Sequence, residues 1–141
     1  MQSIKTWAGV DVSAKTLMAK RRRKNEEKDE AREFPNDAGG HRELLKWIGK
    51  GARVCMEATG VYHLQLALML VGAGVEVMVI NPRIAKDFGR ALSNRSKTDR
   101  VDAGSLLEYV WRMPFLAWKA PRAAILELRE LGRRLSELVH A

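Results

Sequence analysis

The fold is decided by residues 52–80, which read ARVCMEATG VYHLQLALML VGAGVEVMVI. Residues 52–57 are a short apolar run that ends at the carboxylate Glu57, and they predict a strand. Residues 61–72 are apolar over the length of a helix, which Gly72 and Gly74 would end. Residues 75–80 are a near-continuous, valine-rich apolar run, which indicates a strand covered on both faces, as in a parallel sheet. This stretch therefore predicts a β-α-β unit.

Three further strands are predicted before this unit. Residues 5–11 read as a strand that ends at Asp11, and residues 16–23 resume an extended pattern. Residues 30–34 follow a polar turn as a third strand. Because the connections are short, the three strands are predicted to form an antiparallel meander.

Helices are predicted on both sides of the β-α-β unit. Asn36 or Asp37 can cap the first helix, which would end near Gly49. Pro82 suits the first turn of the helix after the unit, and another helix is predicted over residues 98–111. The element order is that of the ribonuclease-H-like α/β fold, a mixed sheet with helices on its faces.

The C-terminal segment has a different character. Residues 113–120 are predicted as a connector after a domain of residues 1–112. The helix predicted over residues 121–141 carries apolar side chains at heptad spacing, so it either starts a coiled coil or packs on its own domain. The chain ends within this helix, and we therefore expect a fragment of a longer protein. The heptad positions are Ala124, Leu128, Leu131, Leu135 and Leu138.

Composition narrows the class of partner. The chain has 25 Lys and Arg against 17 Asp and Glu, a net charge of +8, which favours nucleic acid first and an anionic membrane surface second. A protein that is merely basic is the alternative. Cys55 is the single cysteine, which excludes an internal disulfide and fits a reducing cytosol. The longest apolar tract, residues 64–80, is interrupted by polar residues and glycines, which argues against a membrane role.

Acidic residues stand at informative places. Asp11 and Glu57 end the first and fourth strands, which are neighbours if the β-α-β rule places the fourth strand beside the first. Asp99 and Asp102, three residues apart at the start of a predicted helix, would share one helix face. Four converging carboxylates repel one another unless cations neutralise them, and hard oxygen ligands select Mg²⁺ or Mn²⁺. Two such ions could support phosphodiester cleavage.

The residues alone leave alternatives open. The helix dipole favours acids in a first turn, and Ser96 or Thr98 could cap that helix, so Asp99 and Asp102 could be purely structural. Residues 9–13, Gly-Val-Asp-Val-Ser, are also compatible with a phosphate-handling loop of the sugar-kinase and actin type, although the chain is too short for a complete two-domain kinase. No histidine cluster competes as a metal site, because the histidines are scattered: His41, His63 and His140.

Four motifs, in order along the chain, resemble those of the DEDD transposases of bacterial insertion elements. They are GVDVSAKT at residues 9–16, MEATGVY at 56–62, INPR at 80–83 and SKTDRVDA at 96–103. Each motif is weak singly, but together they are specific, and they cover residues 1 to about 120. The family includes Piv-type DNA invertases and recombinases guided by a bridge RNA.

The resemblance implies that Asp11, Glu57, Asp99 and Asp102 bind Mg²⁺ or Mn²⁺ in a RuvC-like domain that cleaves and transfers DNA strands. It implies DNA as the partner and a guide RNA in some members. The heptad spacing of the C-terminal helix, by contrast, is what predicts a homo-oligomer. Full-length members continue through a coiled coil into a second domain with a serine proposed as nucleophile, which nothing here matches. A stand-alone Holliday-junction resolvase and a metal-free nucleic-acid-binding module are the alternatives.

Basic residues near the carboxylates are predicted to hold nucleic-acid phosphates, with a merely solvated surface as the alternative. Three lie at helical spacing after the β-α-β unit, two lie in the polar loop that leads to Asp99, and one directly follows Asp99. The dense run Lys20–Lys24 alternates between faces if it is a strand, so it either binds DNA or guide RNA in part or is an exposed hairpin. The six predicted phosphate contacts are Arg83, Lys86, Arg90, Arg95, Lys97 and Arg100.

Overall fold

A computed structural model describes residues 3–92, 101–123, 130 and 133–134 of the chain. Within these residues the elements follow the predicted order. They are β1 (Thr6–Val12), β2 (Thr16–Arg23), β3 (Glu30–Pro35), α1 (Ala38–Ile48), β4 (Ala52–Glu57), α2 (Leu64–Gly72), β5 (Glu76–Ile80), α3 (Pro82–Leu92) and α4 (Ala103–Arg112).

The strands form one mixed sheet in the order β3-β2-β1-β4-β5. The meander is antiparallel throughout, since β2 pairs with both β1 and β3 in that sense. The crossover through α1 places β4 parallel to β1, and the crossover through α2 places β5 parallel to β4. The mixed sheet flanked by helices confirms the ribonuclease-H-like fold class, and β4 lies beside β1 as predicted.

The two faces of the sheet carry separate apolar cores, because successive side chains of a strand point to opposite faces. On one face, Ala8, Val10 and Val12 of β1 pack with Leu44 of α1 and Leu70 of α2. The other face packs against α3 and α4. Its buried cluster comprises Cys55, Met78, Ile80, Ala85, Leu106, Leu107 and Val110. β5 contributes to both clusters, which confirms that it is covered on both faces.

Asp37 begins α1 as one of the two predicted caps. Its side chain accepts a hydrogen bond of 2.7 Å from the Gly40 amide, which satisfies one of the free amides of the first turn. The helix ends at Gly49, whose φ of 81° lies in the left-handed region that favours glycine.

Two helix starts were predicted too early. α2 begins at Leu64 rather than at residue 61, because residues 60–63 form a turn in which Gly60 has a φ of 55°. α4 begins at Ala103 rather than at residue 98, because Asp102 has extended backbone angles and acts as the N-cap. The prediction that Asp102 stands inside the helix is therefore wrong.

The connector follows α4 without helical structure up to Pro121. It runs past the outer edge of the sheet, where the Trp118 amide donates a 2.8 Å hydrogen bond to the Val77 carbonyl of β5. The predicted heptad positions lie outside the described residues. Among the described helices, none has the combination of length and apolar character needed to cross a bilayer.

Candidate functional site

Asp11 and Glu57 lie side by side at the carboxyl end of two neighbouring parallel strands. Val10 pairs with Met56 in the register of β1 and β4, and the two acids are the next residues along. Glu57 shares its side of the sheet with Cys55, which packs under α4. Burial raises the pKa of the Glu57 carboxyl, and the negative charge of Asp11 raises it further. The structure thus brings together two of the four predicted carboxylates.

α4 crosses this face antiparallel to β1. Near its C-terminal end, the Trp111 ring makes an edge contact with Trp7 at 4.6 Å between centroids. Near its N-terminal end, the backbone of Ala103 lies against Gly9. Trp7, Gly9 and Asp11 are alternate residues of β1 and share one face. The N-terminus of α4 is therefore directed toward the end of the strand that carries Asp11.

Gly9 permits this approach because it has no side chain. A Cβ at this position would lie 2.3 Å from both the Ala103 carbonyl oxygen and the Leu107 nitrogen. Contacts that short do not occur between real atoms, and both neighbours are backbone. The glycine of the first sequence motif is thus required for the packing that positions the start of α4.

Asp102 caps α4 in a reciprocal capping box. Its carboxylate accepts a 2.9 Å hydrogen bond from the Ser105 amide, and the Ser105 hydroxyl accepts one of 3.1 Å from the Asp102 amide. The cap uses one of several acceptor sites of the carboxylate, which offers about four lone-pair positions. Asp102 therefore has a structural role at the helix start, and its carboxylate retains acceptor positions that the cap does not use.

Asp99 lies outside the described residues, so its distance from the other three acids is not part of the structure. Within the described ranges, no three Asp, Glu, His or Cys side chains come together closely enough to hold a metal ion. The predicted arrangement of Asp99 and Asp102 on one helix face does not apply, since Asp102 precedes the helix.

Lys20 of β2 reaches the same region, which the sequence did not indicate. It pairs with Gly9 in the β1–β2 register. A Cβ added at Gly104 would lie 3.6 Å from the Lys20 Nζ and 3.3 Å from the Asp102 Oδ1, so the ammonium and the carboxylate flank Gly104. The positively charged end of Lys20 thus lies at the start of α4, beside Asp102, which is a predicted metal ligand.

Asn36 joins the two loops that follow the acid-bearing strands, and this role was also missed. Its side-chain amide donates to the Ser13 carbonyl at 2.8 Å and to the Tyr62 carbonyl at 3.1 Å. Its Oδ1 accepts from the His41 Nε2 at 2.7 Å. Burial lowers the pKa of His41 and so favours its neutral form. Asn36 was predicted only as a possible helix cap.

The basic residues predicted on α3 are exposed. α3 begins two residues after Ile80, which pairs with Glu57 in the β4–β5 register, so the helix starts at the sheet end that carries the acids. An edge contact between Phe88 and Tyr109, 4.9 Å between centroids, packs α3 on α4. The exposed residues are Arg83, Lys86 and Arg90. The other three, Arg95, Lys97 and Arg100, lie outside the described residues.

The basic run Lys20–Lys24 alternates between faces, as a strand must, and much of its charge is neutralised internally. Arg21 contacts Glu30 at 2.9 Å and lies over the Trp47 ring on one face. On the other face, Arg22 contacts Asp29 at 2.8 Å and Glu108 at 2.5 Å. These pairs raise the pKa of Arg22 and lower those of the two carboxyls. Both arginines thus act in packing strands and helices together.

The family model for the DEDD transposases, whose description is transposase, matches residues 8–141 of this chain. The pilin gene-inverting proteins of Moraxella bovis and Moraxella lacunata are each 30% identical to this chain over 111 residues. Each alignment covers 74% of this chain and 34% of the relative, so the chain spans about a third of their length.

Two solved structures of the Ppx/GppA phosphatase family member of Aquifex aeolicus are similar at a lower level. The type II variant has a TM-score of 0.37 and 10% identity over 67% of this chain and 42% of that chain. The second has a TM-score of 0.35 and 10% identity over 67% and 41%. Neither likeness bears on function. The match to the family model covers nearly the whole sequence, and the chain belongs to the DEDD transposase family.

Proposed function

We propose that this chain carries the catalytic carboxylates of a DNA transposase or recombinase. In this proposal Asp11, Glu57, Asp99 and Asp102 hold Mg²⁺ or Mn²⁺ for DNA strand cleavage and strand transfer in insertion-element mobility. The observation that carries the proposal is that Asp11 and Glu57 lie side by side on adjacent parallel strands, facing helix α4, which Asp102 caps. Family membership supports DNA as the substrate, and the pilin gene-inverting relatives are named for a DNA rearrangement.

The donor set fits a hard divalent cation. Carboxylate oxygens are the ligands that Mg²⁺ and Mn²⁺ prefer. The raised pKa of Glu57 reflects burial and repulsion from Asp11, both of which a bound cation would offset. When bound, such ions polarise phosphate oxygens and stabilise charge on the attacking and leaving oxygens.

The other residues of the site would act on the nucleic acid. Arg83, Lys86 and Arg90 are exposed along α3, where they can hold backbone phosphates without reading sequence. Lys20, at the start of α4, adds positive charge where a phosphate would approach the carboxylates. The chain's own groups would thus bind and orient the strand, and the acids would position the cation.

The domain organisation and the partners belong to the same proposal. Residues 1–112 would form the RuvC-like catalytic domain, residues 113–120 a connector, and residues 121–141 the start of a coiled coil. That coiled coil would join copies of the chain into a homo-oligomer. DNA is the proposed partner, and a guide RNA is a second candidate because the family includes RNA-guided members.

A calorimetric titration with Mn²⁺ tests the proposal. The chain should bind Mn²⁺, and Asp11→Asn and Glu57→Gln should each weaken binding at least tenfold, since each removes a charged ligand. Glu76→Gln is the matched control, because Glu76 lies on the neighbouring strand but pairs with Arg53 at 2.9 Å. Equal Mn²⁺ affinity of wild type, Asp11→Asn and Glu57→Gln would refute the metal site.

A metal-free nucleic-acid-binding module is the second candidate, and the capping box of Asp102 favours it. An acid that caps a helix needs no cation to explain its position. This candidate predicts no Mn²⁺ binding at the carboxylates and undiminished DNA binding by Asp11→Asn in chelator. The first candidate predicts the opposite response to Mn²⁺.

A further inference from the structure

An open cleft of about 400 Å³ lies at the opposite end of the sheet from the carboxylates. It forms where β1 begins and β2 ends. Its lining is basic, with three cationic side chains and one carboxylate, and it includes hydroxyl and amide groups. The lining residues include Lys5, Thr6, Arg23, Lys24, Asn25 and Glu26.

The positive charges of the cleft are only partly neutralised. Arg23 contacts Glu30 at 3.1 Å and the cleft carboxylate, Glu26, at 3.9 Å. Lys5 and Lys24 are exposed, and neither makes an ion pair with another residue in the part of the chain that the structure describes. Two ammonium groups of the cleft are thus available to an anion, unlike the guanidinium groups of Arg21 and Arg22.

The backbone around the two lysines is held by hydrogen bonds. The Lys5 amide donates to the Gly51 carbonyl at 2.9 Å, and the Lys24 amide donates to the Lys5 carbonyl at 2.8 Å. Asn25 turns the chain next to them with a φ of 69°. The cleft therefore belongs to the sheet framework, and binding there requires ordering of side chains only.

We propose that this cleft binds the phosphodiester backbone of a nucleic acid. Two ammonium groups beside a hydroxyl and an amide supply the charge and the hydrogen-bond donors that a phosphate takes. The inference rests on the proposed function for the nature of the polyanion. From Thr6 to Asp11, β1 spans about 17 Å. A nucleic-acid strand has about five phosphates over that length, so one molecule can contact the cleft and the acidic end together.

Fluorescence anisotropy with a labelled DNA duplex and a labelled RNA hairpin, in chelator over a salt series, tests the cleft. The variant Lys5→Gln/Lys24→Gln should bind the DNA duplex or the RNA hairpin at least tenfold more weakly than wild type at low salt. The slope of log affinity against log salt should fall by about 2, one for each lost phosphate contact. The arm that shows the larger loss, DNA or RNA, identifies the source of the phosphates.

Lys46→Gln/Lys119→Gln is the matched control, because it removes the same charge at exposed positions that do not line the cleft. The single variant Lys24→Gln, with a slope change of about 1, covers the case in which the double variant is unstable. Wild-type affinity and slope in both cleft variants would overturn the proposal, as would a wild-type chain that binds neither nucleic acid. Because chelator is present, a failed Mn²⁺ titration alone would refute the proposed function and leave the cleft intact.

Discussion

Replacing Glu57 by glutamine should stabilise the chain when divalent ions are absent. The Glu57 carboxylate is partly buried beside Asp11, and both burial and that neighbouring charge raise its pKa. A raised carboxyl pKa means that the folded state disfavours the ionised form. The favourable contribution of the Glu57 carboxyl to folding stability is therefore present at low pH and is lost as the pH rises through the pKa of the folded state. Glutamine keeps the shape of the side chain and removes the charge.

The magnitude follows from the spacing of the strands. Adjacent strands are about 4.8 Å apart, so the two carboxylates lie at roughly 5 Å if their side chains extend in parallel. At that distance, repulsion is about 1 kcal/mol with the dielectric constant of water and about 3 kcal/mol with an effective value near 20. Glu57 is partly exposed, so we expect a gain near the lower value, about 1 kcal/mol, which raises Tm by about 3 °C in a chain of this size.

Thermal unfolding followed by circular dichroism measures this effect. In chelator at pH 7, Glu57→Gln should melt above wild type, and the difference should vanish as the pH falls and Glu57 becomes protonated. In Mn²⁺, wild type should gain stability and the variant should not. The control Glu76→Gln should melt at or below wild type, because it removes the partner of Arg53. A Glu57→Gln variant that melts below wild type in chelator would refute the reasoning.

Three further predictions concern packing, charge and association. Gly9→Ala should lower the free energy of unfolding, measured by urea denaturation, by about 3 kcal/mol, because its Cβ would overlap the α4 backbone. The control Gly51→Ala should cost little, because its Cβ would meet only the Lys5 side chain, at 3.7 Å. Equal stability of the two variants would contradict the account. Lys20→Gln should raise Mn²⁺ affinity by about two- to tenfold in calorimetry, since it removes a positive charge beside the acids. An unchanged or lower affinity would show that Lys20 does not act on the metal site. Leu131→Asp should weaken self-association in sedimentation experiments, and a wild-type chain that stays monomeric at high concentration would argue against the coiled coil.

The sheet was predictable from sequence because its signals are local. The valine-rich run of β5, the glycines at the end of α2 and the polar turn before β3 each mark an element with little help from the rest of the chain. The placement of β4 beside β1 followed from the β-α-β connection. These rules bring Asp11 and Glu57 to the same end of the sheet from the sequence alone.

The remaining features depend on long-range contacts that spacing does not encode. The helix start at Asp102 was missed because Ser96, Thr98 and Asp102 are all good capping residues, and only the register of α4 on Gly9 distinguishes them. In the sequence Lys20 is only one member of a basic run, and its position beside Gly104 depends on how α4 packs against β2. The internal pairing of Arg22 with Glu108 likewise joins residues 86 positions apart.

The most direct test of the central claim is an anomalous difference map from crystals of this chain soaked in Mn²⁺. The account predicts a Mn²⁺ peak contacted by Asp11 and Glu57, with Asp102 and Asp99 completing the ligand set. A map with no peak at these carboxylates at saturating Mn²⁺, with Asp102 still bonded to Ser105, would contradict it and leave the acids as structural residues.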